Sequence, residues 1–523
     1  MRRRFAALLL ALPAPAAAQP VSTSAAPERV AVTVYRNPHR GPGGEMELEW
    51  LGGYALISET RRVTIPAGEG DIRFEGVAGG ILPESAIVTG LPDGVVEKNQ
   101  DSWLLSPRSL LDRSLGRRVH LRRTSRATGA VREQEAVIRS GADGAVVLET
   151  AEGFEALRCG GIPETLVYDR VPEGLSAKPT LSVRTRSRES VSATVTLSYL
   201  AGGFDWQANY IATVAPGGDR LDMFAWVTLA NGDGTSFVNA DTQTVAGRLN
   251  RVDESRPQPP PDPYLILRCW PRGTTTSDLP PPPPPPSPPP PPPPMMESPI
   301  AVSAVSGEDI VVTGSRIVRQ EELGDLKLYR VPEPVTVAAR SQKQVALMEK
   351  EGVRFERISR SIVYAANAGG EEATGWLLRI KNSKDQGLGL PIPGGKLVLF
   401  EKHRGRPVLI GEGTVRDTAL DEELEIELGV NEQLRTSIRL NRKDSERIDD
   451  EEDLESYELE VTNADDRPVP VEISLHVGDE EKLEKVSARL ERKNGRPLWR
   501  TIVPANGRAL LRYRVREVDA VDD

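Results

Sequence analysis

Residues 181–199 read LSVRTRSRESVSATVTLSY, a clean alternation of apolar and polar side chains. Side chains point alternately to the two faces of a strand, so this spacing places the apolar ones on one face. These apolar residues are Leu181, Val183, Val191, Ala193, Val195, Leu197 and Tyr199. The stretch therefore predicts a half-buried antiparallel pair of strands.

The same alternation recurs along the chain. Strands are predicted at Val30–Tyr35, Tyr54–Val63, Asp71–Val77, Glu423–Leu428 and Val469–Val477, with the second and third forming a hairpin-like unit around a Gly/Pro-rich turn. The pattern predicts an all-β, mainly antiparallel fold, built of several sandwich or meander units with few short helices.

Two short segments predict a helix and a hairpin from particular residues. A short helix is predicted at Ser106–Leu115, because Ser106 is a good N-cap and Pro107 suits the first helical position. Two apolar runs, Lys396–Glu401 and Pro407–Val415, flank the residues His403–Arg406. They predict a hairpin with a four-residue loop.

Aromatic residues cluster after the opening stretch, at Phe204, Trp206, Tyr210, Phe224 and Trp226. At this spacing, aromatic side chains more often form the core of a sandwich than a ligand site. A sandwich core is therefore the favoured interpretation.

The net charge argues against a nucleic-acid partner. The chain has 523 residues and a net charge of −10, so no global basic field favours nucleic acid, and no nucleic-acid partner is expected.

Residues 1–18 predict a signal peptide, with basic Arg2–Arg4, apolar Phe5–Leu12 and a cleavage site at Ala16–Ala18. An ordinary secretory signal is favoured over a twin-arginine one. We expect export to a bacterial periplasm or cell envelope, and no later run suits a transmembrane helix.

The two cysteines are Cys159 and Cys269. In an oxidising compartment an even number of cysteines permits one disulfide between them, and two separately buried thiols are the alternative.

A proline tract, Pro280–Pro294, interrupts the β pattern. It predicts a polyproline II rod about 45 Å long within an otherwise disordered insertion. The predicted domains are 1–18 (signal), 28–95 (small β-domain), 96–255 (middle β region), 256–325 (proline-rich insertion), 326–440 (β region packing with 181–255) and 441–523 (immunoglobulin-like sandwich).

No motif predicts a reaction. The four histidines, His39, His120, His403 and His476, are isolated, and no nucleophile elbow, Walker loop or dinucleotide fingerprint occurs. The acidic run Asp449–Asp453 could collect calcium, but a solvated loop is favoured. No catalytic, cofactor-binding or metal-binding residue is predicted. The oligomeric state is left open.

Short motifs occur in two groups within residues 30–516. The first group is Gly53–Thr60, Val63–Gly68 and Phe74–Val77. The second group is Cys159–Glu164, Leu197–Leu200, Trp206–Tyr210, Asn239–Ala240, Val245–Asn250, Tyr329–Pro332, Asn463–Val469 and Tyr513–Arg516. The first group resembles the N-terminal domain of the mucoidy-inhibitor-like family, and the second resembles its C-terminal domain of unknown function. Because motifs of the second group lie on both sides of the proline tract, residues 181–250 and 326–440 are expected to pack together. The resemblance implies an exported β-rich envelope protein, and the family's name suggests an effect on exopolysaccharide. The chain departs from the family after Asn99, where many members carry a long coiled coil.

Three functions follow as hypotheses. The leading one is a non-enzymatic protein that binds or scaffolds an envelope protein or polysaccharide. A periplasmic hydrolase acting on glycans or peptides is the alternative, and it requires a deep cleft with converging carboxylates. Asp309–Ile317 resembles the segment that opens the plug of TonB-dependent receptors, which suggests coupling to such receptors as a third; an exposed strand or linker is the other interpretation of this segment.

Overall fold

The computed structural model describes residues 20–101, 104–125, 127–141, 146–157, 164–172, 175–247, 317–323, 326–447 and 453–517. Over these residues the protein is an all-β fold with mainly antiparallel sheets, which confirms the predicted fold class. The predicted signal peptide, both cysteines, the proline tract and residues 309–316 lie outside the described residues.

The first fifteen strands precede the predicted insertion. They are β1 (Val21–Ser24), β2 (Arg29–Tyr35), β3 (Gly53–Ile65), β4 (Gly68–Glu75), β5 (Ile87–Thr89), β6 (Glu97–Asp101), β7 (Arg118–Thr124), β8 (Val131–Ile138), β9 (Val147–Thr150), β10 (Gly153–Ala156), β11 (Glu164–Val167), β12 (Thr180–Ser187), β13 (Val191–Val214), β14 (Arg220–Asn231) and β15 (Phe237–Ala246). One α-helix, α1 (Pro107–Asp112), lies among them in the described residues.

The remaining strands follow the predicted insertion. They are β16 (Arg319–Leu323), β17 (Leu326–Arg330), β18 (Val335–Val337), β19 (Ser341–Arg354), β20 (Glu356–Tyr364), β21 (Gly369–Lys381), β22 (Gly395–His403), β23 (Arg406–Val415), β24 (Glu423–Leu440), β25 (Glu446–Arg447), β26 (Asp453–Asn463), β27 (Val469–His476), β28 (Glu481–Glu484), β29 (Glu491–Lys493), β30 (Arg496–Val503) and β31 (Arg508–Glu517). Short 3₁₀ turns occur at Pro83–Ser85 and Lys384–Gln386.

The described chain divides into two compact units. The first contains residues 20–30 and 58–200, and the second contains 31–57, 201–247 and 317–517. The boundary between them falls within β2, within β3 and within β13.

The first unit contains two small sheets of its own. One has the strand order β1-β4-β12-β6, and the other has the order β10-β9-β8-β7-β11. In the second sheet, β7 to β10 pair in succession, each strand with the next, and so form a meander. It encloses a core that includes Leu111, Val119, Leu121, Ile138 and Leu148.

Helix α1 begins as predicted. The Ser106 hydroxyl accepts a hydrogen bond from the Ser109 backbone N–H, and the Ser109 hydroxyl accepts one from the Ser106 N–H, which is a reciprocal cap. The helix ends at Asp112 rather than Leu115. None of the helices in the described residues is long and apolar enough to cross a membrane.

The opening stretch forms two strands, but the predicted pairing between them is wrong. β12 pairs with β4 and β6, whereas the first part of β13 pairs with β5. The alternation correctly marks the buried face, since Leu181, Val183 and Leu197 are all fully buried. Alternation does not identify the neighbouring strand, because any strand with a matching buried face satisfies it. The same holds for β3 and β4, which occupy different sheets rather than one hairpin.

In the second unit, strands from both sides of residues 248–316 share a sheet. β14 pairs with β19, and β13 pairs in parallel with β22 from Ala208 opposite Gly395 to Val214 opposite Glu401. The parallel pairing requires a glycine, because a Cβ at Gly395 would collide with the Ala208 carbonyl oxygen.

The β22–β23 hairpin forms, but its loop has two residues instead of four. His403 pairs directly with Arg406, and the loop residues Arg404 and Gly405 have φ values of 50° and 77°. Positive φ at both positions is what a type I′ turn requires, and it lets the strands continue to the turn.

The second unit also contains a ten-stranded sheet with the main order β28-β31-β26-β24-β21-β20-β27-β30-β29. One face carries a core that includes Tyr457, Leu459, Val471, Ile473 and Tyr513. The strands of the predicted immunoglobulin-like domain, 441–523, thus share a sheet with β20, β21 and β24 from the preceding region.

Candidate functional site

Charged side chains cross the other face of the ten-stranded sheet and form what we call the Arg379 network. The neighbours of Glu472 on β27, Val471 and Ile473, belong to the core, so Glu472 points to the opposite face. The network consists of Arg360 on β20, Arg379 on β21, Glu425 on β24, Glu472 on β27, Lys493 on β29 and Arg500 on β30.

Arg379 lies at the centre of this network, and its side chain is only 9% exposed. Its Nη1 and Nη2 donate to the two carboxylate oxygens of Glu472 at 2.8 and 2.7 Å. Its Nε and Nη2 donate to Glu425 Oε1 at 2.9 and 2.6 Å. Such paired bonds to carboxylates fix the guanidinium plane.

The two carboxylates have further donors. Arg360 Nη2 donates to both oxygens of Glu425 at 2.8 Å, and Lys493 Nζ donates to its Oε1 at 2.5 Å. Arg500 Nε donates to Glu472 Oε1 at 2.8 Å. Each carboxylate therefore has at least three cationic partners, counting the 3.2 Å bond from Arg360 to Glu472.

These contacts set the ionisation of the network. Burial raises the pKa of Glu425, but hydrogen bonds from Lys493, Arg379 and Arg360 outweigh it and lower the pKa to about 2. Burial likewise opposes ionisation of Glu472, and bonds from Arg379 and Arg360 lower its pKa to about 2. Burial alone would lower the pKa of Arg379, yet its bonds to Glu472 and Glu425 raise it above its usual value. Both carboxylates are ionised at neutral pH.

A cleft of about 600 Å³ lies beside the network. Its lining residues are Glu356, Arg357, Ile358, Arg379, Pro470, Val471, Glu472, Arg500, Thr501 and Ile502. A second depression of about 530 Å³ shares Glu356, Arg379 and Arg500 with it and adds residues such as Arg354 and Lys381. The cleft thus combines paired charges with an apolar wall.

The first unit contains a contrasting ion pair that is sealed inside the protein. Arg61 Nε donates to Glu59 Oε2 at 2.7 Å, and both side chains are 0% exposed. The remaining guanidinium nitrogens donate to the carbonyl oxygens of Ser24 and Glu75 at 3.0 and 2.8 Å. The Tyr199 hydroxyl donates to Glu59 Oε1 at 2.9 Å. Every polar group of the pair is therefore satisfied.

In this ion pair, burial affects the pKa of the glutamate more than its hydrogen bonds do, which is the opposite of the Arg379 network. Burial raises the pKa of Glu59 more than Arg61 and Tyr199 lower it. Burial is also the main reason why the pKa of Tyr199 lies well above its usual value. Because no solvent reaches Glu59, it can hold strands together but cannot act on a substrate.

The histidines, cysteines and acidic residues that the sequence offers as candidate site residues are not brought together into one site within the described residues. Among the described residues, no three His, Cys, Asp or Glu side chains are grouped as a metal site. His120 Nε2 lies 3.0 Å from Asp169 Oδ1, and the His476 ring packs edge-on against Tyr364 at 4.8 Å. Cys159, Cys269 and acidic residues 449–452 lie outside the described residues.

The aromatic residues divide between interior and surface. Phe204, Trp206 and Tyr210 are fully buried, and Trp206 Nε1 donates to the Val245 carbonyl oxygen at 3.0 Å. Phe224 and Trp226 are half-buried and pack edge to face with their ring centroids 4.7 Å apart. The first three therefore behave as core residues.

Sequence reasoning missed both charged sites, although β3 contained a signal. Its buried positions include Ala55, Ile57, Glu59, Arg61 and Val63, so a glutamate and an arginine lie on the face of the strand that is otherwise apolar. Two opposite charges that are two residues apart on the buried face of a strand indicate a buried ion pair. The Arg379 network joins residues from six strands, and alternation within each strand does not reveal that meeting.

The motifs that carry the family resemblance lie mainly on strands. Gly53–Thr60 begins β3, and Trp206–Tyr210 lies within β13. These positions give the motifs a structural role, and the family assignment remains a prediction. Comparison with protein-family models, with curated proteins and with solved structures gives no match for this chain.

Proposed function

We propose that this chain is an exported, non-enzymatic protein that binds or scaffolds an envelope protein or polysaccharide. The observation that carries the proposal is the saturation of the Arg379 network. Its glutamates accept all their bonds from arginine and lysine and have pKa values of about 2. Carboxylates that stay ionised at neutral pH are poor general acids, and this favours recognition over acid catalysis.

The alternative, a hydrolase acting on glycans or peptides, receives less support. Glycoside hydrolysis needs one carboxyl group with a raised pKa that donates a proton to the leaving group. Glu425 and Glu472 are shifted in the wrong direction for that role. Glu59 has a raised pKa, but it is completely buried.

The surface beside the cleft has the composition of a binding face. Ile502 at its wall is 66% exposed, and on β20 the side chains of Ile362 and Tyr364 are 55% and 61% exposed. Strand alternation puts Ile362 and Tyr364 on the same face as Arg360. Exposed apolar and aromatic side chains mark interaction sites, and aromatic residues and arginine are enriched at protein interfaces.

The test is crosslinking mass spectrometry in the native envelope with the full chain. Ile502→Lys should remove the partner's crosslinks, because it puts a solvated charge on the apolar wall. The matched control is Val238→Lys, since Val238 is 62% exposed on β15, and it should retain them. An unchanged partner set for Ile502→Lys would contradict the proposed face. Hydrolysis of a glycan or peptide by the wild type that Glu472→Gln abolishes would instead support the alternative.

A further inference from the structure

One face of the sheet around β13 and β14 carries apolar side chains that remain partly exposed. Directly paired residues of neighbouring strands lie on the same face, and the register pairs Ile211 on β13 with Phe224 on β14 and with Val398 on β22. We call this surface the aromatic face, and its apolar members are Ile211, Phe224, Trp226, Val398, Phe400 and Leu409. Ile211 and Leu409 are 40% and 51% exposed, and the other four are half-buried. Exposed apolar patches of this kind mark interaction sites.

The other face of these strands is the one that packs inside the protein. Ala225, Leu397 and Leu399 point to it and are at most 1% exposed. Gly413 pairs with Leu397, and a Cβ added to Gly413 would lie 2.6 Å from the Glu427 carbonyl oxygen, so β24 packs against this side. The aromatic face is therefore the outward face of the sheet.

The aromatic face also presents two N–H donors side by side. Trp206 Nε1, in the interior, donates to a carbonyl oxygen, whereas Trp226 Nε1 forms no hydrogen bond within the described residues. Asn209 pairs directly with Trp226, and its Oδ1 accepts a hydrogen bond from the Thr228 hydroxyl at 2.7 Å. Asn209 Nδ2 has no acceptor in the part of the chain that the structure describes. The face therefore suits a ligand that combines apolar surface with exposed carbonyl oxygens.

A polyproline II helix has both of these properties. It has no internal hydrogen bonds, so its carbonyl oxygens are available, and its proline rings are apolar. Aromatic-lined surfaces recognise such helices with little loss of entropy, because the helix is already formed. Residues 280–294 of this chain are seven prolines, Ser287 and seven more prolines, and the sequence predicts that conformation for them. Proline lacks the N–H donor that a strand needs, so this tract would lie on a sheet face rather than pair at an edge.

The length of chain on each side of the tract permits it to reach the aromatic face. The structure describes residues up to 247 and again from 317, and the adjoining strands β15 and β16 belong to the same sheet as β14. β16 is six strand spacings from β14, or about 29 Å. The 22 residues between Pro294 and Ile317 can span about 70 Å. Each block of seven prolines is about 22 Å long, which exceeds the roughly 14 Å across the four strands of the face.

We infer that the proline tract, residues 280–294, docks on the aromatic face of its own chain as a polyproline II helix. Its rings pack against Phe224 and Trp226, and its carbonyl oxygens accept hydrogen bonds from Trp226 Nε1 and Asn209 Nδ2. The tether keeps the tract at an effective concentration of the order of 1 mM, so a weak contact is sufficient to hold it. The inference does not depend on the proposed envelope function.

The first experiment observes the indole N–H signal of Trp226 by NMR in the full chain. It compares the wild type with a variant in which residues 280–294 are replaced by a Gly/Ser segment of equal length. The replacement should move the Trp226 signal and leave that of Trp50 unchanged, since Trp50 is 79% exposed but lies on the loop before β3. An unmoved Trp226 signal, or equal movement of both signals, would overturn the inference. A difference that vanishes when the protein is diluted would also overturn it, because the tract would then come from a second copy.

The second experiment measures by calorimetry the affinity of the free peptide made of seven prolines, serine and seven prolines. The Gly/Ser variant should bind it, and the wild type should need at least about tenfold more peptide, because its own tract competes. In the Gly/Ser variant, Trp226→Leu should weaken binding at least about tenfold and Asn209→Asp about fivefold, whereas Trp50→Leu should leave it unchanged. Asn209→Asp removes a donor without altering the packing of the rings, so it tests the site even where Trp226→Leu fails to fold. Equal peptide affinity in the wild type and the Gly/Ser variant, no binding by either, or no effect of both substitutions would refute the docking.

Discussion

Glu59 and Glu472 are both buried glutamates bonded to an arginine, yet their pKa values move in opposite directions. Glu59 has one arginine and a tyrosine, and burial prevails. Glu472 is 4% exposed but bonds to Arg360, Arg379 and Arg500, and the hydrogen bonds prevail. Glu59 carries the larger cost of burial and Glu472 has the larger number of cationic donors, and the two differences together decide which glutamate is easy or hard to protonate.

The largest effect is expected when the sealed pair is broken. Arg61→Met should destabilise the protein by about 3–5 kcal/mol, because it leaves Glu59 buried without a counter-ion. Arg62→Met is the matched control, since Arg62 is the next residue and is 68% exposed. The free energy of unfolding from denaturant titration measures both. A loss below 1 kcal/mol for Arg61→Met would contradict the comparison, and adding Glu59→Leu should restore part of the loss.

Lowering the pH should change the stability contributions of the Arg379 network and of Glu59 in opposite directions. Glu425 and Glu472 have a pKa of about 2 in the folded protein, against an ordinary glutamate pKa of 4.5, so their contribution to stability is present above pH 4.5 and is lost as the pH falls to 2. Glu59 has a raised pKa, so its ionisation costs stability as pH rises above 4.5. The variant with Glu425→Gln and Glu472→Gln should lose a stabilisation of the order of 3 kcal/mol at pH 7 and much less at pH 2.5. An equal loss at both pH values would contradict this assignment.

The Arg379 network should tolerate the loss of its central residue better. Arg379→Met leaves Glu472 with Arg500 and Arg360, and Glu425 with Arg360 and Lys493, so a loss of about 1–3 kcal/mol is expected. Arg435→Met, at a 44% exposed ion pair on β24, should change stability by less than about 0.5 kcal/mol. If Arg379→Met lowered the free energy of unfolding as much as Arg61→Met does, the remaining arginines and lysine would not be compensating for the loss of Arg379.

The smallest effect concerns the tyrosine. Tyr199→Phe removes one hydrogen bond to Glu59 and the acceptor of the Ala78 N–H, and should cost about 1 kcal/mol. Tyr364→Phe, at a hydroxyl on a side chain that is 61% exposed, is the control and should cost almost nothing. Thermal unfolding of the two variants in parallel compares them, and equal midpoints would contradict a role for the Tyr199 hydroxyl.

Much of the fold could be predicted from local pattern. Strand alternation identified β24 and β27, and the serine and proline at 106 and 107 identified the start of α1, because these signals act within a few residues. The partners of β12 and β13 could not be predicted, since period-two burial is compatible with many neighbours. The Arg379 network was missed for the same reason: its charges become adjacent only after β21, β20 and β27 have paired.

The parallel pairing of β13 with β22 has a consequence for folding kinetics. Ala208 and Gly395 are far apart in the chain, and contacts of such high sequence separation slow folding, because the intervening chain must close before they form. During synthesis, the edge of β13 that accepts β22 stays unpaired until β22 has been made. Fragments that end before Gly395 should therefore aggregate through that open edge, whereas the full chain should refold slowly but completely.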